Sequence, residues 1–171
     1  MQIEVTLNEV VRQLEVEPFE TLLAVLRREG MVSVRYGSDT GETGASAVLV
    51  DGRLVNTDCM LALQAHGHEI ITLEWFNHAE MHPIQAAFVA TGAMQSGYTT
   101  PAMILGTYEL LQRIPDPSDE QIRDMLSGIL DRETAYVKPV EAVHRAAAIL
   151  RGDEVEPFGP LVLPPLTDGK N

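Results

Sequence analysis

Hydrophobic spacing changes character partway along this chain, and that change limits the folds open to it. Ile3, Val5 and Leu7 alternate with polar residues, the period-two pattern of a strand with one buried face. Leu14 and Val16 repeat the pattern in a second strand. Ala47–Val50, Asp51-Gly52 and Arg53–Asn56 read as a hairpin, because Asp-Gly supplies the positive φ of a tight turn. Residues 70–73 give a last strand. Residues 21–29 form a short helix with Leu22, Leu23, Val25 and Leu26 on its apolar face and Gly30 at its end, and residues 61–66 a helical turn. Beyond residue 77 the period becomes helical. Pro83 and Pro101 suit first helical turns, with Thr100 as the cap of the second. Met103, Ile104, Thr107, Leu110 and Leu111 make an inward stripe. Ser118-Asp119-Glu120-Gln121 is a capping box opening a third helix. Pro139 starts a fourth, with Val140, Val143, Ala147 and Leu150 spaced for burial. Strands first and helices after make an α+β chain.

Charge removes several function classes. Twelve Lys and Arg stand against 25 Asp and Glu, a net charge of −13, which repels nucleic acid and anionic membranes. No apolar run is long enough to span a bilayer. The opening residues follow a strand pattern with an early acid, Glu4, unlike a signal peptide. Cys59 is the only cysteine, so no disulfide forms within one chain, which agrees with a reducing, cytoplasmic setting. Alone, it reads as a small buried hydrophobe. Pro157, Pro160, Pro164 and Pro165 make residues 156–171 an extended tail. Internal repeats and low-complexity tracts are absent from the sequence.

Two loops carry the functional signal. Gly37-Ser38-Asp39-Thr40-Gly41-Glu42-Thr43-Gly44-Ala45-Ser46 resembles the cluster-binding loop of a plant-type ferredoxin. Gln95-Ser96-Gly97-Tyr98-Thr99-Thr100-Pro101 resembles the second cluster motif of the small iron–sulfur subunits of molybdenum hydroxylases, the xanthine dehydrogenase, aldehyde oxidoreductase and carbon monoxide dehydrogenase family. Flanking blocks agree in order: Val48-Leu49-Val50-Asp51-Gly52, His82-Pro83-Ile84-Gln85-Ala86-Ala87-Phe88, Thr100-Pro101-Ala102-Met103 and Leu126-Ser127-Gly128. The resemblance covers residues 1–150. It implies a ferredoxin-like β-grasp domain at 1–76, a four-helix bundle at 77–155 and the extended tail at 156–171.

The family's ligand cysteines fall here on other residues. The first motif, Cys-x4-Cys-x2-Cys-x11-Cys, maps to Ser38, Thr43, Ser46 and Asp58. The second maps to Ser96, Thr99, Asp131 and Glu133. Iron–sulfur clusters are held by thiolates, whereas hydroxyls and carboxylates suit hard cations. The expectation is therefore that this chain binds no cofactor, that 2Fe–2S is not to be looked for, and that the vacated positions hold hydrogen bonds rather than a metal, with Arg132 at hand as a counter-charge. His66, His68, His78, His82 and His144 are scattered among the expected elements and read as no metal site. The pair His66 and His68 would share one strand face. Met81, Met94 and Met103 read as core filler.

The resemblance implies a role in a complex. The family's small subunit docks on a large molybdopterin-binding subunit, with or without a flavin-type medium subunit. The positions matching Gln95 and Ser96 face the partner's pterin. Without clusters the chain would serve as scaffold and pocket wall rather than electron carrier. The complex would then run redox-neutral chemistry of hydratase or hydroxyl-transfer type, the chain itself being non-catalytic. The alternatives are a free-standing binding or regulatory module on an inherited fold, or a redox subunit with a non-native metal.

Overall fold

The computed structural model describes residues 1–77 and 80–156. His78 and the four tail prolines lie outside the described residues. A five-stranded sheet is built from β1 (Gln2–Leu7), β2 (Val10–Glu15), β3 (Ala47–Val50), β4 (Arg53–Asn56) and β5 (Glu69–Ile71) in the order β2-β1-β5-β3-β4. β1 and β5 run parallel and the other pairs antiparallel. The β3–β4 hairpin turns at Asp51 and Gly52, both at positive φ (48° and 75°), the conformation that tight two-residue turns demand.

The helices are α1 (Leu22–Arg28), α2 (Pro83–Thr91), α3 (Thr100–Arg113), α4 (Asp119–Ser127) and α5 (Val137–Arg151). Thr21 caps α1, its hydroxyl accepting from the Ala24 N–H at 3.3 Å. The Ser118–Gln121 capping box opens α4 as its sequence requires. Residues 62–65 and 73–76 form short 3-10 turns.

All four residues of β3 are buried, although strand side chains alternate between faces. The reason is a core on each side. Val48 and Val50 pack with Ile3, Val5, Leu22, Leu26 and Ile70 under α1. Ala47 joins the helical core of Phe88, Met103, Ile104, Ile122 and Val143, while Leu49 meets Phe76 and Leu105. The helical half therefore lies on the second face of the sheet. This brings the loop that leads into β3 against the helices.

Several local expectations are corrected. Thr100 is the first residue of α3 rather than its cap. Thr99 holds the cap position without a capping hydrogen bond, because its hydroxyl is engaged elsewhere. β5 ends at Ile71, and Leu73 belongs to the turn that delivers Trp75 and Phe76. α5 begins at Val137, ahead of Pro139. His66 and His68 precede β5. His66 Nδ1 accepts from the Glu4 N–H and His68 Nδ1 pairs with Asp51 at 2.6 Å, so the two rings serve separate turns.

Candidate functional site

The segment between α2 and α3 is a run of small turns. α2 stops at Gly92, which takes φ +73°, a left-handed conformation natural to glycine. Ser96 Oγ accepts from the Tyr98 N–H at 3.2 Å and the Thr99 N–H at 3.5 Å. The Ser96 carbonyl accepts from Thr100 Oγ1 at 2.6 Å. Gln95 is exposed and its amide donates to the Gly92 carbonyl at 3.1 Å.

Thr99 turns inward and donates to Asp131 Oδ1 at 3.0 Å. Asp131 is only 7% exposed. Its Oδ2 accepts from the Thr134 N–H at 3.0 Å and from the Thr134 hydroxyl. The Asp131 N–H donates to the Tyr136 hydroxyl at 2.8 Å, which itself donates to the Ile129 carbonyl at 2.9 Å. Burial disfavours the Asp131 carboxylate, but the hydrogen bonds from Thr134 and Thr99 outweigh it and hold its pKa below the usual value. Of the second set of ligand positions, these bonds join Ser96, Thr99 and Asp131. Glu133 is exposed, and Thr134 stands in the cluster instead. Arg132, the anticipated counter-charge, is exposed and makes no ion pair among the described residues. Hydroxyl and amide donors stabilise the charged Asp131 carboxylate in its place.

The first loop is tighter. Ser38 Oγ accepts from the Gly41 N–H at 3.0 Å, and the Gly41 carbonyl accepts from Asn56 Nδ2 at 3.1 Å. Ser46 is fully buried, and its Oγ accepts from the Asp58 N–H at 3.4 Å. Thr43 Oγ1 accepts from the Ala45 N–H at 3.4 Å. The Thr43 carbonyl accepts from the Leu130 N–H at 2.9 Å, so this loop is tied to the segment that carries Asp131. Gly44 adopts φ +66°, and a Cβ there would lie 2.0 Å from the Gly128 carbonyl oxygen. Only glycine permits that approach. Asp58 is 8% exposed, and neither of its carboxylate oxygens has a hydrogen-bond partner among the described residues. Cys59 is exposed, contrary to the reading of a buried hydrophobe. Desolvation at its sulfur, the adjoining Asp58 carboxylate and the charge of Glu42 raise its pKa.

Gln95 and Ser96 line an open cavity of about 580 Å³ together with Arg35, Phe76, Asn77 and Met94. Arg35 is the one charged residue among the described lining. It donates to the Gly97 carbonyl at 3.1 Å and lies 6.0 Å from the Tyr98 ring centre. Met81 (59% exposed) and Met94 (53%) stand at the cavity, so neither is the core filler expected. Among the described residues no three of His, Cys, Asp and Glu gather as metal ligands, and no helix is long and apolar enough to cross a membrane.

The sheet, the helices packed on it and the two glycine-punctuated loops define a ferredoxin-like α+β fold of the iron–sulfur subunit class. The family model described as a [2Fe-2S] binding domain matches residues 72–144. The chain is 43% identical to the nicotinate dehydrogenase small FeS subunit of Eubacterium barkeri, over 84% of its own length and 93% of that protein's. It is 35% identical to the nicotine 6-hydroxylase small subunit of Paenarthrobacter nicotinovorans, over 84% of its own length and 87% of that protein's. Among solved structures it superposes on quinoline 2-oxidoreductase from Pseudomonas putida 86 with a TM-score of 0.83 and 31% identity, covering 90% of this chain and 98% of that one. With the aldehyde oxidoreductase from Desulfovibrio desulfuricans the TM-score is 0.86 at 34% identity, over 90% of this chain and 17% of that one. The chain belongs to the family of small iron–sulfur subunits of xanthine dehydrogenase-type molybdenum hydroxylases.

This corrects the cofactor expectation. The family model and the relatives named as FeS subunits make 2Fe–2S the cofactor that the family implies for this chain, where the sequence reading expected none. That reading rested on side-chain chemistry at eight positions, whereas membership is carried by the whole fold. The donors present do not match the group: the first loop offers three hydroxyls and one carboxylate, and the second offers hydroxyls already committed to Asp131 and to backbone N–H groups. Thiolate ligation has only Cys59 to draw on.

Proposed function

We propose that the chain is the small subunit of a molybdopterin-dependent complex, where it acts as a scaffold and as a wall of the partner's pterin pocket. The observation that carries this reading is the cavity around Gln95 and Ser96. It is open, mostly apolar, and bordered by exposed Met81 and Met94 beside a single guanidinium, Arg35. Exposed methionines are adaptable contact surface, and the Gln95 amide offers donors and an acceptor to a polar ring edge. The partner is a large molybdopterin-binding subunit, with a flavin-type medium subunit as an optional third component. Oxygen donors at the former ligand positions favour a structural role over electron carriage, and with it redox-neutral turnover of hydratase or hydroxyl-transfer type.

The test is co-expression with the genomic neighbours, followed by size-exclusion and turnover assays. The expected result is a stable complex that turns over substrate without an external electron acceptor. Strict dependence on an added dye would remove the redox-neutral part. Elution of this chain alone, at its own 18.8 kDa, would favour a free-standing module and overturn the assignment.

A further inference from the structure

The turn at 95–98 lies between α2 and α3, and most of its bonds are local. The Gln95 N–H and amide donate to the Ala93 and Gly92 carbonyls, while the Ser96 hydroxyl and carbonyl collect the Tyr98, Thr99 and Thr100 donors. Gln95, Gly97 and Tyr98 are exposed. A segment with few buried contacts and exposed hydrogen bonds opens readily. One side chain reaches this turn from far away. Among the described residues Arg35 alone, from outside residues 92–100, hydrogen-bonds it. Arg35 Nε donates to the Gly97 carbonyl at 3.1 Å across sixty-two positions of sequence, and the guanidinium carbon stands 6.0 Å from the Tyr98 ring centre.

Arg35 comes from the segment that follows α1, in the sheet half of the chain, and that segment is itself held. Val34 is 2% exposed, and its carbonyl accepts from Arg27 at 2.8 Å. The Ser33 N–H donates to the Glu74 carboxylate at 2.7 Å, and the Ser33 hydroxyl donates to the same group. Glu74 belongs to the 73–76 turn, whose Leu73 and Phe76 line the same cavity as Arg35, Gln95, Ser96 and Gly97. Glu74, Ser33, Arg35 and Gly97 therefore tie one lining segment to the next. A guanidinium suits this task, because its Nε–H and its flat face act at once, whereas a lysine offers a point charge with no plane.

We infer that Arg35 is a positioning residue: it clamps the 95–98 turn to the sheet half of the chain and so sets how Gln95 and Ser96 face the cavity. Its consequence for turnover rests on the pocket-wall reading, whereas the clamp itself does not. The competing use of Arg35 is as a direct receptor for an anionic ligand. That use fits less well, since Nε is committed to the Gly97 carbonyl and the guanidinium stands over the Tyr98 ring.

Amide hydrogen exchange on the full chain tests the clamp without the partner. In Arg35→Ala the Tyr98 and Thr99 amides should exchange about fivefold faster, the worth of one exposed charged hydrogen bond with a cation–π contact. The Ala93 amide, held on the Phe88 carbonyl at 2.9 Å, should exchange as in the parent. Arg35→Lys keeps a donor without the flat face; it should exchange faster than the parent and slower than Arg35→Ala, and it carries the test if Arg35→Ala does not fold. In the assembled complex Arg35→Ala should lower turnover, and adding Gln95→Ala should lower it no further, because one residue acts through the other. Unchanged exchange at Tyr98 and Thr99 overturns the clamp. Losses that add in the double variant overturn the positioning role and assign Arg35 to the ligand itself. If Gln95→Ala alone leaves turnover unchanged, the pocket-wall reading falls, and the exchange rates still decide the clamp.

Discussion

Replacing Asp131 by alanine tests whether a hydrogen-bonded carboxylate holds the second loop together. The substitution strands the Thr99 hydroxyl, the Thr134 hydroxyl and the Thr134 N–H. The two hydroxyls can rotate toward nearby carbonyls. The Thr134 N–H cannot, and Thr134 is buried. A hydrogen bond to a charged group contributes about 1.5–3 kcal/mol and an orphaned buried donor costs about 1–3 kcal/mol. The two overlap rather than add, because the orphaned Thr134 N–H is one of the bonds lost, and the loss is about 2–4 kcal/mol. For a chain of this size each kcal/mol moves Tm by about 2–4 °C, so Asp131→Ala should melt about 5–15 °C lower by calorimetry or circular dichroism. The acid limb gives a second reading. The folded pKa of Asp131 lies below its unfolded value, so its stabilisation is complete above the unfolded carboxyl pKa of about 3.9 and is lost as pH falls through the folded value. The parent should therefore lose stability faster than Asp131→Ala as pH drops below about 4. A variant melting within about 1 °C of the parent, or one with the same acid slope, would refute the reasoning.

Gly44→Ala should destabilise by more than about 2 kcal/mol, since left-handed strain of about 1 kcal/mol adds to a Cβ 2.0 Å from the Gly128 oxygen; chemical denaturation measures it, and a neutral result would show that the two loops part easily. Gln95→Ala should leave Tm within about 1 °C, because Gln95 is exposed, yet lower turnover of the assembled complex; unchanged kinetics would take Gln95 out of the pocket wall. Glu74→Ala should cost about 1–3 kcal/mol, as its carboxylate accepts from the Ser33 N–H at 2.7 Å, from Ser33 Oγ and from Thr72 Oγ1 at 2.6 Å; an unchanged melting curve would mean that those donors find other acceptors.

Local chemistry made much of this fold legible. Asp51-Gly52 and the Ser118 box each specify a turn or a cap through bonds within four residues, and both stand where the sequence placed them. Partners distant in sequence were not legible. Thr99 lost its capping bond to Asp131, thirty-two positions away, and nothing near Thr99 announces that. Register alone assigns Glu133 to the second ligand set, yet it is exposed. Asp131 is answered instead by Thr134, whose N–H lies three residues on, an Asp-to-Thr turn that could have been read from side-chain habits. Residue type points to a buried Cys59, but burial is set by tertiary packing, and Cys59 is exposed beside the Gly41 turn. The cofactor expectation erred in a different way, by weighing eight side chains against a family signal spread along residues 72–144.

The junction of Gly44 with Gly128, and of Thr43 with Leu130, fixes a count rather than a chemistry. A loop one residue longer or shorter would carry another position onto the Gly128 carbonyl, where only a glycine can lie. The side chains at 38, 43 and 46 are under no such rule from this contact. Thiols could therefore be traded for hydroxyls there without rebuilding the backbone, while an insertion in either loop would have to be matched in the other. Grafting new ligand sets into this chain should succeed by substitution and fail by changes of length.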